Sequence, residues 1–321
     1  MAEFDVLVPV AGMAQVSGDI EKRVALHRLW LEPDPDQTLA RLAPKIKAIV
    51  ATSHKAVVDE ALMRRLPNLE IVVGYGVGYD HIDAAFAGQH GVIVTHTPGV
   101  LDEEVADVAM ALTLATVRKL PQAERYLREG KWLDAAYPLT ASLRGRTMGI
   151  LGLGRIGKAI ARRAAAFGLD IVYHGRKQQT DAPYLYYPSL VGMARACDIL
   201  MIVAPGGADT KHIVDREIID AVGSDGIIVN IARGSLIDQE ALIAALKEGR
   251  LLGAGLDVFE DEPNVPEEFI ALDNAVLLPH VGSASRHTRQ AMADLMIANL
   301  ASWLDGKGPL TPTPETPWPR E

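Results

Sequence analysis

The chain has 321 residues, 49% of them hydrophobic, and carries a formal net charge of −9. That length predicts two domains, each with a sizeable core, and the acidic balance excludes a non-specific nucleic-acid partner. A single cysteine, Cys197, excludes an internal disulfide framework and points to a reducing, cytoplasmic setting.

From the start of the chain, Met1-Ala-Glu-Phe-Asp-Val-Leu-Val-Pro-Val10 lacks the basic region and long apolar core of a secretory signal. No later run is apolar for long enough to span a bilayer, so no membrane partner is expected. β-Rich runs fall near residues 5–10, 47–52, 69–74 and 92–96, separated by helix-like stretches. Thr97-Pro98-Gly99 reads as a hinge, and Asp102 to Lys119, acidic at its start and basic at its end, reads as one long helix. Six further runs follow near 148–153, 169–174, 199–204, 226–232, 253–258 and 275–280. This alternation predicts an α/β fold of two doubly wound parallel-sheet domains. A last amphipathic helix near 287–304 places Met292, Leu295, Met296, Asn299, Leu300 and Trp303 on one side. The proline-rich tail 309–319 reads as extended chain rather than a folded element.

The first run of the second set leads into Gly152-x-Gly154-x-x-Gly157, followed at once by the helix-like Lys158–Phe167 and a second strand, Leu169–His174. This is the dinucleotide-binding fingerprint in the context it requires. Gly152 permits a tight turn, Gly154 lets a pyrophosphate approach the backbone, and Gly157 lets the helix lie close to the sheet. An enzyme preferring NAD usually carries a carboxylate at the end of the second strand. Here His174-Gly175-Arg176-Lys177 supplies two cations instead, which favour the 2′-phosphate of NADP. Walker, H-E-x-x-H and C-x-x-C motifs are absent, and no metal is expected.

In an open doubly wound sheet, ligands bind outside the carboxyl ends of the strands. Arg233 follows the fourth run, Glu262 the fifth and His280 the sixth. An arginine can bind a carboxylate bidentately and polarise an adjacent keto oxygen, and a histidine can deliver a proton to that oxygen. A neighbouring carboxylate such as Glu262 favours the protonated ring. Two histidines compete with His280: His54, read either as a substrate contact or as an ordinary loop residue, and His96, which reads as structural before a Pro-Gly turn. Tyr75 and Tyr79 read equally as site or packing residues.

With these motifs in this order, the chain resembles the D-isomer-specific 2-hydroxyacid dehydrogenases. The resemblance runs through Leu66–Asp80, Thr97–Leu101, Gly152–Gly157, Asn230–Asp238, Gly255–Pro263 and Leu278–Ser283. It implies a Rossmann cofactor domain at 99–286 and a smaller flavodoxin-like substrate domain formed by 1–98 with 287–321. It implies Arg233, Glu262 and His280 as the catalytic trio. Cofactor contacts would come from Gly152, Gly154, Arg155, Ile156, Gly157, Arg176, Lys177, Ala204, Pro205, Ile231, Ala232, Asp257 and Ser283. Substrate would meet Ser53, His54, Arg233, His280 and the backbone N–H groups around Val77 and Gly78.

The basic end of the second strand is similar to the glyoxylate/hydroxypyruvate and hydroxyphenylpyruvate reductase branches, which favour NADPH. The implied reaction is reduction of a small 2-keto acid to the D-2-hydroxy acid, in a homodimer with the 120–145 region reaching across. Open alternatives are a reductase of bulkier 2-keto acids, such as hydroxyphenylpyruvate or 2-ketogluconate, and a dinucleotide-sensing protein resembling corepressors of this fold. The missing acidic NAD signature argues against a phosphoglycerate dehydrogenase.

Overall fold

The computed structural model describes residues 4–12, 19–53 and 55–319. These divide into two compact units, one running to Leu101 and resuming at Ser285, the other Asp102–Ala284. The first unit holds strands β1 (Phe4–Val8), β2 (Val24–Arg28), β3 (Ile46–Ala51), β4 (Ile71–Gly74) and β5 (Ile93–Thr95), ordered β2-β1-β3-β4-β5. The second holds β6 (Thr147–Leu151), β7 (Asp170–His174), β8 (Leu185–Tyr186), β9 (Ile199–Ile202), β10 (Ile227–Asn230), β11 (Gly253–Leu256) and β12 (Ala275–Leu277), ordered β12-β11-β10-β9-β6-β7-β8. All of these pairings are parallel. Parallel strands covered on both faces need continuous apolar runs rather than alternation. Ile199-Leu-Met-Ile202 meets that need, with every residue fully buried.

Two strands had no counterpart among the expected runs. β2, Val24-Ala-Leu-His-Arg28, is an edge strand with two polar residues, and β8 is two residues long. The long helix ends at Arg118 because Lys119 adopts a positive φ of 49°; a second helix, Leu120–Arg128, then starts with proline in its first turn.

The tail is fastened rather than loose. Pro312 bridges Thr95 antiparallel, Thr313 N–H donates to the Val94 carbonyl (2.8 Å), and Thr316 Oγ1 accepts from Val94 N–H (2.9 Å). Asn299, on the last helix (Arg286–Leu304), accepts at Oδ1 from the N–H groups of Leu310 and Thr311, both at 2.9 Å.

In the second unit the strand register sets one row across the sheet: His174, Leu151, Ile202, Asn230, Leu256 and Leu277 stand side by side. Whatever follows these six residues therefore emerges along one edge. Strand order reverses at β6, which pairs with β7 on one side and β9 on the other. That reversal is the switch point at which such sheets bind ligands.

Candidate active site

The glycine turn follows β6. Gly152 has φ +97°, and a Cβ there would stand 2.8 Å from N and Cα of Ala204 after β9. A Cβ at Gly157 would overlap the Gly152 carbonyl oxygen. Both positions therefore exclude larger residues through the protein's own packing. Gly154 differs, since a Cβ there would meet nothing within 4 Å. Its bareness leaves open the approach to the helix Arg155–Ala166, which has no side-chain cap. A turn of this shape fits a pyrophosphate, which would meet the N-terminal amides and the positive end of the helix dipole. Arg155 at the first helical position donates through Nε to Asp102 Oδ2 at 2.8 Å, tying the turn's helix to the helix Asp102–Arg118. Ile156 is half-buried beside it, and Pro205 is exposed after Ala204.

β7 ends at His174, whose Nδ1 lies 2.8 Å from the Tyr187 carbonyl. Arg176 and Lys177 follow, both exposed.

After β10, the buried Asn230 organises the turn. Its Oδ1 accepts from Ala232 N–H (3.0 Å) and its Nδ2 donates to the Arg233 carbonyl (2.8 Å). Ile231 is buried and Ala232 half-buried in this turn. Gly234 packs directly on the next loop, where a Cβ would overlap the carbonyl group of Phe259. The Arg233 turn is thereby seated against the loop that carries Glu262.

His280 Nδ1 stands 2.7 Å from Glu262 Oε2, while Glu262 Oε1 accepts from Phe259 N–H at 3.1 Å. One carboxylate thus orients the ring and closes its own loop. Their side chains are 34% and 18% exposed, so the pair is reachable yet partly screened from water. His280 has φ +53°, a sparsely populated conformation that costs energy and persists only where its surroundings enforce it.

Asp257 enforces it. Its carbonyl accepts from His280 N–H (2.8 Å), and its two carboxylate oxygens accept from Val281 (2.7 Å) and Gly282 (2.8 Å) N–H groups. Burial pushes the Asp257 carboxyl above the usual range, against the pull of those two amides and of His280. Its carboxylate holds the histidine turn. Ser283 follows, half-buried.

In the first unit, the turn after β4 is held from within. Gly76 N–H donates to Thr97 Oγ1 (3.0 Å), Thr97 N–H donates to the Gly76 carbonyl (2.8 Å), and His96 Nδ1 lies 3.0 Å from the Val77 carbonyl. His96 is thus a brace for this turn. Val77 and Gly78 are half-buried. Tyr75 is buried, with its hydroxyl 3.3 Å from the Arg289 carbonyl, and Tyr79 donates to the Glu315 carboxylate (3.1 Å). Ser53 is buried and accepts from Lys55 N–H (3.2 Å). His54 lies outside the described residues.

Sequence reasoning named the ends of β10, β11 and β12, and the structure brings Glu262 and His280 into direct contact there. It did not single out Asn230 as the clamp. The available signal was a polar residue closing the apolar strand Ile227-Ile-Val-Asn230.

Residues 110–282 match the family model described as D-isomer specific 2-hydroxyacid dehydrogenase, NAD binding domain. A glyoxylate/hydroxypyruvate reductase of Arabidopsis thaliana is 46% identical, covering 97% of this chain and 99% of that protein. A hydroxyphenylpyruvate reductase of Plectranthus scutellarioides is 44% identical with the same coverage. The crystal structure of an NADPH-dependent glyoxylate/hydroxypyruvate reductase from Sinorhizobium meliloti, in complex with NADP and malonate, is 43% identical. It superposes with a TM-score of 0.87, covering 99% of each chain.

Proposed function

Because the chain belongs to the D-isomer specific 2-hydroxyacid dehydrogenase family, we propose that it reduces a small 2-keto acid, of the glyoxylate or hydroxypyruvate type, to the D-2-hydroxy acid with NADPH. The observation that carries this reading is the 2.7 Å contact between His280 Nδ1 and Glu262 Oε2, on the sheet edge where the glycine turn also opens.

With Nδ1 turned to Glu262, Nε2 of His280 is the nitrogen that presents a proton to a keto oxygen. Arg233 holds the substrate carboxylate through its planar fork and draws electron density from the adjacent carbonyl. Glu262 fixes the ring and receives the Nδ1 proton's hydrogen bond throughout. Asp257 and Asn230 hold the two turns in register, so that Arg233 and His280 need no rearrangement. The reduced nicotinamide, when bound, supplies the hydride.

The glycine turn with Arg155 and Ile156 receives the pyrophosphate. Ala204, Pro205, Ile231, Ala232, Asp257 and Ser283, which follow the ends of β9, β10, β11 and β12, supply the further cofactor contacts in this reading. Arg176 and Lys177 receive the 2′-phosphate by charge-assisted hydrogen bonds.

A homodimer is part of the same proposal. The helix Leu120–Arg128 buries none of its residues, and Leu120, Leu127, Trp132, Leu133 and Leu139 are all exposed. Apolar surface gathered in one segment marks an association site. No described helix is long and apolar enough to cross a membrane.

A bulkier 2-keto acid remains the second reading, because the hydroxyphenylpyruvate reductase is nearly as similar as the glyoxylate/hydroxypyruvate reductase, 44% against 46%. The test is loss of NADPH absorbance with a panel of glyoxylate, hydroxypyruvate, hydroxyphenylpyruvate and 2-ketogluconate. Highest kcat/KM with either of the first two supports the proposal; a preference for either of the others replaces it with the second reading.

A further inference from the structure

We propose that Gln179 is a positioning residue that fixes the spacing between the glycine turn and the Arg176–Lys177 cations, and through that spacing sets the preference for NADPH over NADH. The inference rests on the reading of those cations as the 2′-phosphate site.

The segment leaving β7 is gripped at several points. Gln179 Nε2 donates to the carbonyl of Leu153 at 2.6 Å, inside the Gly152-Leu153-Gly154 turn itself. The backbone N–H of Gln179 donates to Tyr173 Oη at 2.8 Å, and that tyrosine is only 1% exposed, so the anchor is part of the core. Tyr186 Oη donates to the Gly175 carbonyl at 3.1 Å, fixing the other end of the cation-bearing segment. Lys158, on the helix that follows the glycine turn, pairs with Asp181 at 2.9 Å and holds its carboxyl below the usual range. Asp181 is largely exposed, so this last strut is weak. Gln179 is the direct link between the two loops.

Its position has two consequences. The 2′-phosphate and the pyrophosphate belong to one ligand and lie a fixed covalent distance apart. A protein whose two receptors are already held at a matching separation loses less freedom on binding. The Leu153–Gly154 peptide is also planar and trans, so its carbonyl and its N–H point in opposite directions. By holding the Leu153 carbonyl, Gln179 turns the Gly154 N–H away from itself, at the residue whose missing side chain leaves open space. NADH lacks the 2′-phosphate and so has nothing for the Arg176–Lys177 cations to pair with, whereas NADPH engages the pyrophosphate turn and those cations together. Loss of the link therefore falls more heavily on NADPH.

The test is the Kd of NADPH and of NADH, by nucleotide fluorescence titration, for wild type, Q179A, R176A and the double variant. Losing one neutral hydrogen bond is worth roughly 2- to 10-fold, and losing a charge-assisted one roughly 10- to 150-fold. We expect the NADH/NADPH Kd ratio to fall by about 2- to 10-fold in Q179A. R176A should lower it further, and adding Q179A to R176A should change the ratio little. If Q179A proves poorly folded, Y173F removes the other hold on Gln179 and is expected to lower the ratio in the same direction. An unchanged ratio in folded Q179A, or equal weakening of both nucleotides, overturns the proposal while a selective loss in R176A leaves the cation reading standing. An unchanged ratio in R176A overturns the cation reading, and this proposal with it.

Discussion

Gly234 sits so close to Phe259 that a single methyl group on its Cα would overlap the Phe259 carbonyl. This contact joins the turn after β10 to the loop after β11. It is the means by which Arg233, one residue earlier, is set beside the loop of Glu262 and its partner His280.

G234A should therefore disturb both stability and turnover. Overpacking against backbone costs about 1–3 kcal/mol, and a displacement near 1 Å at a substrate anchor costs on the order of 10²-fold in rate. Thermal unfolding together with kcat/KM of G234A checks this. A variant with wild-type Tm and wild-type kcat/KM would show that the loops are not set by this contact.

R233K keeps the charge but loses the planar fork that binds a carboxylate and a keto oxygen together. A loss on the order of 10²-fold in kcat/KM for 2-keto acids is expected, with NADPH affinity unchanged. Steady-state kinetics with a fluorescence titration of NADPH would decide it. Near-normal kcat/KM would remove Arg233 from the role of substrate anchor.

Cys197 offers a pH-dependent test of the second unit's core. The thiol is buried, and burial pushes it up to about 12. A thiol raised in the folded state keeps its proton where the unfolded chain, near pH 8.5, has begun to lose its own. The folded state then binds more protons, so stability from this residue is intact below about pH 8.5 and falls as pH rises toward about 12. Urea unfolding of wild type between pH 7 and 10 should show a downward slope that C197A lacks, and a thiol reagent should label the protein only on unfolding. Rapid labelling of the native protein at neutral pH would contradict the buried assignment.

The parts of the fold that were legible in the sequence are those whose constraint is local. Gly152-x-Gly154-x-x-Gly157 carries most of its meaning within six residues: Gly157 answers to the Gly152 carbonyl and Gly154 to open space, and only Gly152 also answers to a distant partner, Ala204. The run that became β9 is apolar throughout, and that of β10 is apolar up to its closing Asn230, as doubly covered strands must be. What could not be read depends on distant partners. β2 is polar enough at its end to pass for loop and becomes a strand only by pairing with β1. The tail carries no periodicity of its own; Asn299 and the edge of β5 supply its hydrogen bonds from elsewhere in the first unit. Gln179 belongs to no motif, and its contact with Leu153 spans 26 residues. His280 could be placed at a strand end, but its positive φ and the Asp257 clamp that sustains it are properties of the folded turn.

The central claim is that His280 delivers the proton in reduction of a 2-keto acid by NADPH, and H280Q tests it most directly. Glutamine is close in size and cannot act as the acid, and the pyrophosphate turn is untouched. Wild type and H280Q are compared side by side for NADPH consumption with glyoxylate or hydroxypyruvate and for the Kd of NADPH. The account predicts a loss of roughly 10²–10⁴-fold in kcat with NADPH binding nearly unchanged. Turnover by H280Q within a few-fold of wild type would contradict it.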